Sequence, residues 1–139
     1  MKYFLDTNIC IYALKNKFPK IKEMMENLSP SDIAIPSMVK AELYYGALKS
    51  DRPNKMLSVL DKFLSPFKII PFGENEIKAF GRIRTNLEKK GNIIGPYDLI
   101  IAATALSHGA TFVTHNTREF ERVEGLIIED WTGEDTSNI

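Results

Sequence analysis

The stretch Tyr3-Phe4-Leu5-Asp6-Thr7-Asn8-Ile9-Cys10-Ile11-Tyr12 decides how the rest of the chain is read. It opens as a short apolar run and breaks at Asp6-Thr7-Asn8. It then resumes with Ile9, Tyr12 and Ala13 at helical spacing. That pattern predicts a strand ending in a carboxylate and turning directly into a helix. In open α/β sheets, ligands sit outside the carboxyl ends of the strands, so Asp6 is expected at the mouth of a sheet. Thr7 or Asn8 is a candidate cap for the helix. Asp6 is itself an ordinary cap residue, and acids further along the chain decide between a capping and a functional reading.

Outward from this stretch, strand-like runs at 2–5, 32–35, 67–70, 110–114 and 126–129 alternate with helical patterns. Phe18-Pro19 opens a helix with Ile21, Met24, Met25 and Leu28 on one stripe, ending at Ser29-Pro30-Ser31. Pro36 suits the first turn of the next helix rather than a central strand; Val39, Leu43 and Ala47 follow at helical spacing. Met56, Leu57, Leu60 and Leu64 mark a further stripe, as do Ile77, Phe80, Ile83 and Leu87 in a long polar helix over 74–90. Lys89-Lys90-Gly91 closes that helix with basic residues and a C-terminal glycine. Gly95-Pro96 starts another helix, which carries Asp98 in its first turn and Ala102 and Ala105 on the acid's own face. It ends at Ser107-His108-Gly109, where His108 complements the helix dipole. Such alternation predicts an α/β fold with a parallel sheet covered on both faces and right-handed crossovers.

The 139 residues fit one domain, taken as 1–132, followed by a polar tail at 133–139; the chain reads as polar from Trp131 on and is expected to be poorly ordered past Gly133. Hydrophobic residues make up 44%, enough for a core. Lys+Arg and Asp+Glu both number 18, so any nucleic acid must be bound through a local patch rather than by overall charge. The single cysteine, Cys10, excludes an internal disulfide and reads as a buried thiol. No signal peptide and no run of about 18 apolar residues is present. The expectation is a soluble cytoplasmic protein.

Chemistry concentrates in acids. Asp6 ends a strand, Asp98 opens a helix, Glu119 follows a strand end, and Glu42 sits in a helix one turn before Gly46. That glycine costs about 1 kcal/mol of helix propensity and is expected to allow close approach of a backbone or a substrate. There is no histidine–cysteine cluster with zinc spacing, no P-loop and no G-x-S-x-G elbow. Carboxylates alone suit hard cations such as Mg²⁺ or Mn²⁺, and clustered carboxylates need a cation to offset their repulsion.

Four segments make the pattern specific: Phe4-Leu5-Asp6-Thr7-Asn8-Ile9, Val39-Lys40-Ala41-Glu42-Leu43-Tyr44-Tyr45-Gly46, Gly95-Pro96-Tyr97-Asp98-Leu99-Ile100-Ile101-Ala102 and Thr114-His115-Asn116-Thr117-Arg118-Glu119-Phe120. With these the chain resembles the PIN-domain ribonucleases, and more narrowly the VapC toxins of toxin–antitoxin pairs. The resemblance implies a PIN-like three-layer α/β/α fold with a mostly parallel five-stranded sheet. It implies a Mg²⁺-dependent endoribonuclease, a hydrolase acting on RNA such as the anticodon region of a transfer RNA, the initiator species included. One or two ions are implied, and they would activate a water for attack at phosphorus, leaving a 5′ phosphate and a 3′ hydroxyl. Asp6, Glu42 and Asp98 are the implied metal-holding residues. Many relatives place Asp where this chain has Asn116; Glu119 is taken as the fourth acid, with Thr114 or Asn116 as its polar support and Thr7 and Asn8 as further polar neighbours.

Arg52, Lys55, Arg84, Lys89, Lys90 and Arg118 are candidate phosphate contacts, each with solvated surface as the plain alternative. The resemblance also implies a VapB-like antitoxin and a homodimer. The antitoxin would present an arginine to the acids and lie on an apolar wall formed by residues 11–25 and 39–48. Competing readings are a housekeeping RNA-processing nuclease, an idle PIN-like binding module, and a phosphatase with an aspartyl nucleophile. The last typically needs a second Asp where this chain has Asn8.

Overall fold

A computed structural model describes residues 2–133. Five strands form one sheet, all parallel among the described residues: β1 (Tyr3–Leu5), β2 (Ile33–Pro36), β3 (Lys68–Ile70), β4 (Thr111–Val113) and β5 (Ile127–Glu129), in the order β3-β2-β1-β4-β5. Seven α-helices connect them: α1 (Thr7–Leu14), α2 (Pro19–Glu26), α3 (Ser37–Leu48), α4 (Pro53–Leu64), α5 (Glu74–Lys90), α6 (Pro96–Ser107) and the short α7 (Thr117–Phe120). A parallel sheet needs crossovers, and the right-handed rule places α1 to α4 on one face and α5 to α7 on the other. The packing agrees: α1 meets α2 and α3, α3 meets α4, and α5 meets α6.

The central strands are apolar without alternation, as expected when both faces are covered. Phe4, Leu5, Ile33, Ala34, Ile35, Phe112 and Val113 are all buried. Val39, Leu43 and Ala47 seat α3, and Ala102 and Ala105 let α6 lie close over its neighbours, as the spacing predicts.

The chain builds outward from β1 to β3, then returns across the sheet to lay β4 on the other side of β1. The strand order therefore reverses between β1 and β4. In open parallel sheets, that switch point leaves a crevice at the carboxyl ends of the strands. Asp6 follows β1 and Thr114 follows β4, at the two lips of this crevice.

Several local expectations change. Pro36 is the last residue of the central strand β2, opposite Ile70, and the N-cap of α3 rather than part of its first turn. Pro30–Asp32 forms a 3-10 turn rather than a plain break. Ile77 is exposed, and α5 instead buries Glu76, Ala79, Ile83 and Leu87. Trp131 does not begin a polar tail. It is buried, tilted against Tyr3 at 5.3 Å, with its Nε1 donating to Glu129 Oε1 at 3.0 Å. The expected poor order after Gly133 lies outside the described residues.

Candidate active site

Asp6 is the N-cap of α1, a role expected of Thr7 or Asn8: its Oδ1 accepts from the Thr7 N–H at 2.8 Å. The capping and functional readings of Asp6 therefore do not exclude each other. Its Oδ2 accepts from Thr114 Oγ1 at 2.8 Å, across the β1–β4 switch point. Each carboxylate oxygen has two lone pairs, so both oxygens keep acceptor capacity. Thr114, fully buried, is itself fixed by the Asn116 N–H, which donates to its Oγ1 at 3.0 Å.

The other acids close around this centre from separate elements. Glu42, on α3, accepts from Thr7 Oγ1 at 2.8 Å. Glu119, on α7, accepts from Asn116 Nδ2 at 2.7 Å and from the Gly95 N–H at 3.3 Å, tying α7 to the start of α6. Asp98, in the first turn of α6, shares a hydrogen bond with Glu119 and feels the charges of Asp6, Glu119 and Glu42. All four predicted acids thus fall in one cluster. Thr7, Thr114 and Asn116 support it directly; Asn8 is exposed on α1 and joins none of the site's hydrogen bonds.

The electrostatics follow from burial and crowding. Burial is the main cause that raises Asp6 from 3.8 to about 6, against the opposing bonds from Thr114 and Thr7, with Glu42 and Glu119 adding repulsion. Asp98 rises from 3.8 to about 7, first through desolvation, then through Asp6 and Glu119. Cys10, one turn into α1, is buried, and desolvation followed by the charge of Asp6 pushes its thiol well up, so it is inert.

Among the described residues, no three histidine, cysteine or carboxylate side chains already form a ligand cage. The electrostatic coupling nevertheless joins four acids, and the two observations are compatible for a hard ion. Mg²⁺ keeps several waters and needs only one or two direct carboxylates besides the substrate's phosphate. An oxygen-only donor set with two carboxyls held above their ordinary range fits such an ion, whose charge would let both ionise.

The predicted phosphate contacts disperse. Arg84 pairs with Glu88 at 3.5 Å and Lys90 with Glu124 at 3.6 Å. Arg52, Lys55, Lys89 and Arg118 are exposed on three different helices or their ends.

The PIN-domain family profile matches residues 3–126. The chain is 42% identical over 132 residues to the tRNA(fMet)-specific endonuclease VapC of Shigella flexneri, spanning 95% of this chain and 99% of that one. The chain belongs to the PIN-domain family, among the VapC ribonucleases. Ribonuclease VapC2 of Rickettsia felis is 46% identical over 132 residues, 94% of this PIN domain and 98% of the relative. The structure of VapBC2 from Rickettsia felis, bound to a DNA fragment from its promoter, superposes with a TM-score of 0.88 at 44% identity, covering 94% of this chain and 99% of that chain. VapBC-1 from nontypeable Haemophilus influenzae gives 0.86 at 34% identity, covering 95% and 99%. Among the described residues of this PIN domain, no helix is long and apolar enough to cross a membrane.

An apolar groove of about 340 Å³ runs beside the acids. Ile11 and Leu14 of α1, Leu43 and Gly46 of α3, and Val59 and Leu60 of α4 line it, and Glu42 lies at its edge. The wall expected from residues 11–25 and 39–48 contributes α1 and α3 to this groove, and α4 adds Met56, Val59 and Leu60. A Cβ on Gly46 would meet nothing within 4 Å, so no backbone of this chain explains the glycine.

Proposed function

We propose that this chain is the toxin of a VapBC-type pair, a Mg²⁺-dependent endoribonuclease that hydrolyses phosphodiester bonds in RNA, with tRNA as its substrate. The observation that carries the reading is the meeting of Asp6, Glu42, Asp98 and Glu119 at the β1–β4 switch point. The printed target of the Shigella flexneri relative supports tRNA, the initiator species in particular. Asp6, Glu42 and Asp98 would hold the ion in this reading, with Glu119 as the fourth acid beside them. When bound, the ion would supply a water of lowered pKa and positive charge for the reacting phosphate.

The chain's own residues set the geometry. Thr114 and the Thr7 N–H fix the Asp6 carboxylate in one rotamer. The Thr7 hydroxyl orients Glu42, and Asn116 with Gly95 orients Glu119. Clustered carboxylates accept protons from water as their local charge changes, which suits general-base work at neutral pH. The products expected are a 5′ phosphate and a 3′ hydroxyl.

A VapB-like antitoxin completes the proposal, supported by the VapBC complexes among the similar structures. An apolar helix seated in the groove of α1, α3 and α4 passes Glu42 at its edge, so an arginine beyond it reaches the acids as a guanidinium–carboxylate pair. A homodimer of the chain belongs to the same reading. The test is sequencing of RNA 5′ ends after brief expression in cells, with and without the neighbouring gene. Discrete new ends that vanish with Asp98→Asn and with the neighbour's product are expected. An active chain that is harmless, or that no neighbour product binds, would point instead to a housekeeping nuclease.

A further inference from the structure

The acidic site has a problem that its own residues do not solve. RNA phosphates must approach four carboxylates in a protein with no net positive charge. A cationic grip near the crevice has to offset that repulsion, and the arginines and lysines singled out from the sequence are scattered or already paired.

The connection after α1, together with the first turn of α2, has the required features. Residues 15–22 read Lys-Asn-Lys-Phe-Pro-Lys-Ile-Lys, with lysines at 15, 17, 20 and 22 and no acid. All four are exposed. Lys22 faces Glu26 at 3.9 Å in an exposed pair, and Glu23 and Glu26 border a hollow that Lys17 also lines, so Lys22 is left out of the grip. Among the described residues, Lys15, Lys17 and Lys20 have no ion-pair partner.

The loop is also held in shape. Asn16 and Phe18 are the two non-glycine residues with positive φ among those described, at 53° and 57°. Strained backbone of this kind persists only where surroundings over-determine it, and it gathers at ligand clamps. Here the surroundings are visible. Phe18 meets Tyr12 edge-on at 4.9 Å, and Lys17 Nζ sits 5.2 Å from the centre of each ring. His115 packs on both rings, at 6.2 Å from Tyr12 and 6.0 Å from Phe18. Asp130 fixes His115 at Nδ1 with a 2.9 Å bond. His115 follows Thr114, which bonds Asp6. One continuous set of contacts therefore joins the lysine loop to the acidic centre, and the eight residues of α1 set their separation at about 12 Å by a rise of about 1.5 Å per residue.

We propose that the α1–α2 connection and the first turn of α2 form a preformed phosphate-binding grip for the RNA strand running into the acidic site, with Lys15, Lys17 and Lys20 contacting its backbone. This deepens, and rests on, the ribonuclease reading above. The aromatic packing holds Lys17 in place, so less side-chain freedom is lost when it meets a phosphate.

The experiment measures binding of intact tRNA by fluorescence anisotropy across a salt series, in an Asp98→Asn background so that the RNA is not consumed. The triple variant Lys15→Gln/Lys17→Gln/Lys20→Gln is compared with a charge-matched control, Lys62→Gln/Lys68→Gln/Lys78→Gln, on α4, β3 and α5. Loss of three phosphate contacts lowers the slope of log K against log salt by roughly 2–3, and affinity at 0.1 M salt by about tenfold to a hundredfold. The control keeps the parent's slope. In cleavage assays with all acids intact, the triple variant raises KM for tRNA while kcat is held. If the triple variant binds as the control does, the inference is wrong, whether or not the protein cuts RNA. Unchanged RNA binding combined with a weakened complex with the neighbour's product would reassign the loop to the protein partner. A protein that binds tRNA through these lysines but never cleaves it would overturn the nuclease reading and leave the grip standing.

Discussion

Replacing Asp6 with asparagine should stabilise the metal-free protein while destroying its site. Asp6 is 5% exposed, and its carboxyl is raised from 3.8 to about 6, chiefly by burial. The sign follows from linkage: the folded state holds the proton more tightly than the unfolded state. Stability from this group is fully present below about pH 4 and is lost as pH rises through about 6. At about 1.4 kcal/mol per unit, the ionised carboxylate costs the metal-free fold about 3 kcal/mol above that range. Asparagine removes the charge and can keep both bonds, accepting from the Thr7 N–H and donating to Thr114 Oγ1. The expected gain is about 1–3 kcal/mol at pH 8, the lower end allowing for an imperfect exchange of hydrogen bonds. Urea unfolding in EDTA at pH 4, 6 and 8 measures it. Mg²⁺ at about a hundred times its Kd should then add about 2.7 kcal/mol to the parent at pH 8 and little to the variant. A variant no more stable than the parent at pH 8, or equally favoured at pH 4, would refute the account of burial and crowding.

Glu119→Gln should reduce RNA cleavage and raise the Mg²⁺ needed more than Asn116→Ala does, because only the carboxylate brings charge; the reverse ranking in Mg²⁺ titrations would give the fourth role to Asn116. Gly46→Ala should stabilise the free chain by up to about 1 kcal/mol, since its Cβ meets nothing. The same change should weaken capture of the neighbour's product, measured by calorimetry, because the methyl enters the groove. Trp131→Ala should cost about 3–5 kcal/mol in chemical denaturation, given its full burial against Tyr3; a loss below about 1 kcal/mol would return residue 131 to a peripheral tail.

Strands were legible because a parallel sheet buries both faces, so each shows as an apolar run between turn residues, as in Phe4-Leu5 and Ile33-Ala34-Ile35. The acids were legible because each sits where an element begins or ends, apart from Glu42, which only its company identified. What the sequence hid was pairing across distance. Of the two supports offered for Glu119, Asn116 takes that role from three residues away, while Thr114 holds Asp6 instead, a partner 108 residues distant that the sequence does not announce. Trp131 looked peripheral because only polar residues surround it in sequence, while the surface that buries it comes from the opposite end of the chain at Tyr3. The part of α4 in the groove is not visible in the sequence, because amphipathic stripes locate a buried face without naming what lies beside it. Gly46 reads as room for another backbone or a substrate, and the room is open. In sequence, Lys15-Asn16-Lys17 is an ordinary loop and Lys20 one residue of a helix, since the rings and the positive-φ residues that shape this segment are visible only in three dimensions.

The central claim is that Asp6 and Asp98 hold an ion that hydrolyses RNA. The most direct measurement is cleavage of one purified tRNA by protein stripped with EDTA and then titrated with Mg²⁺, with mapping of the product ends. The account predicts no cleavage without the ion, recovery on adding Mg²⁺ or Mn²⁺, ends bearing a 5′ phosphate and a 3′ hydroxyl, and no recovery in Asp6→Asn or Asp98→Asn. Cleavage that persists in EDTA, products carrying a 2′,3′-cyclic phosphate, or full activity in either variant would contradict it.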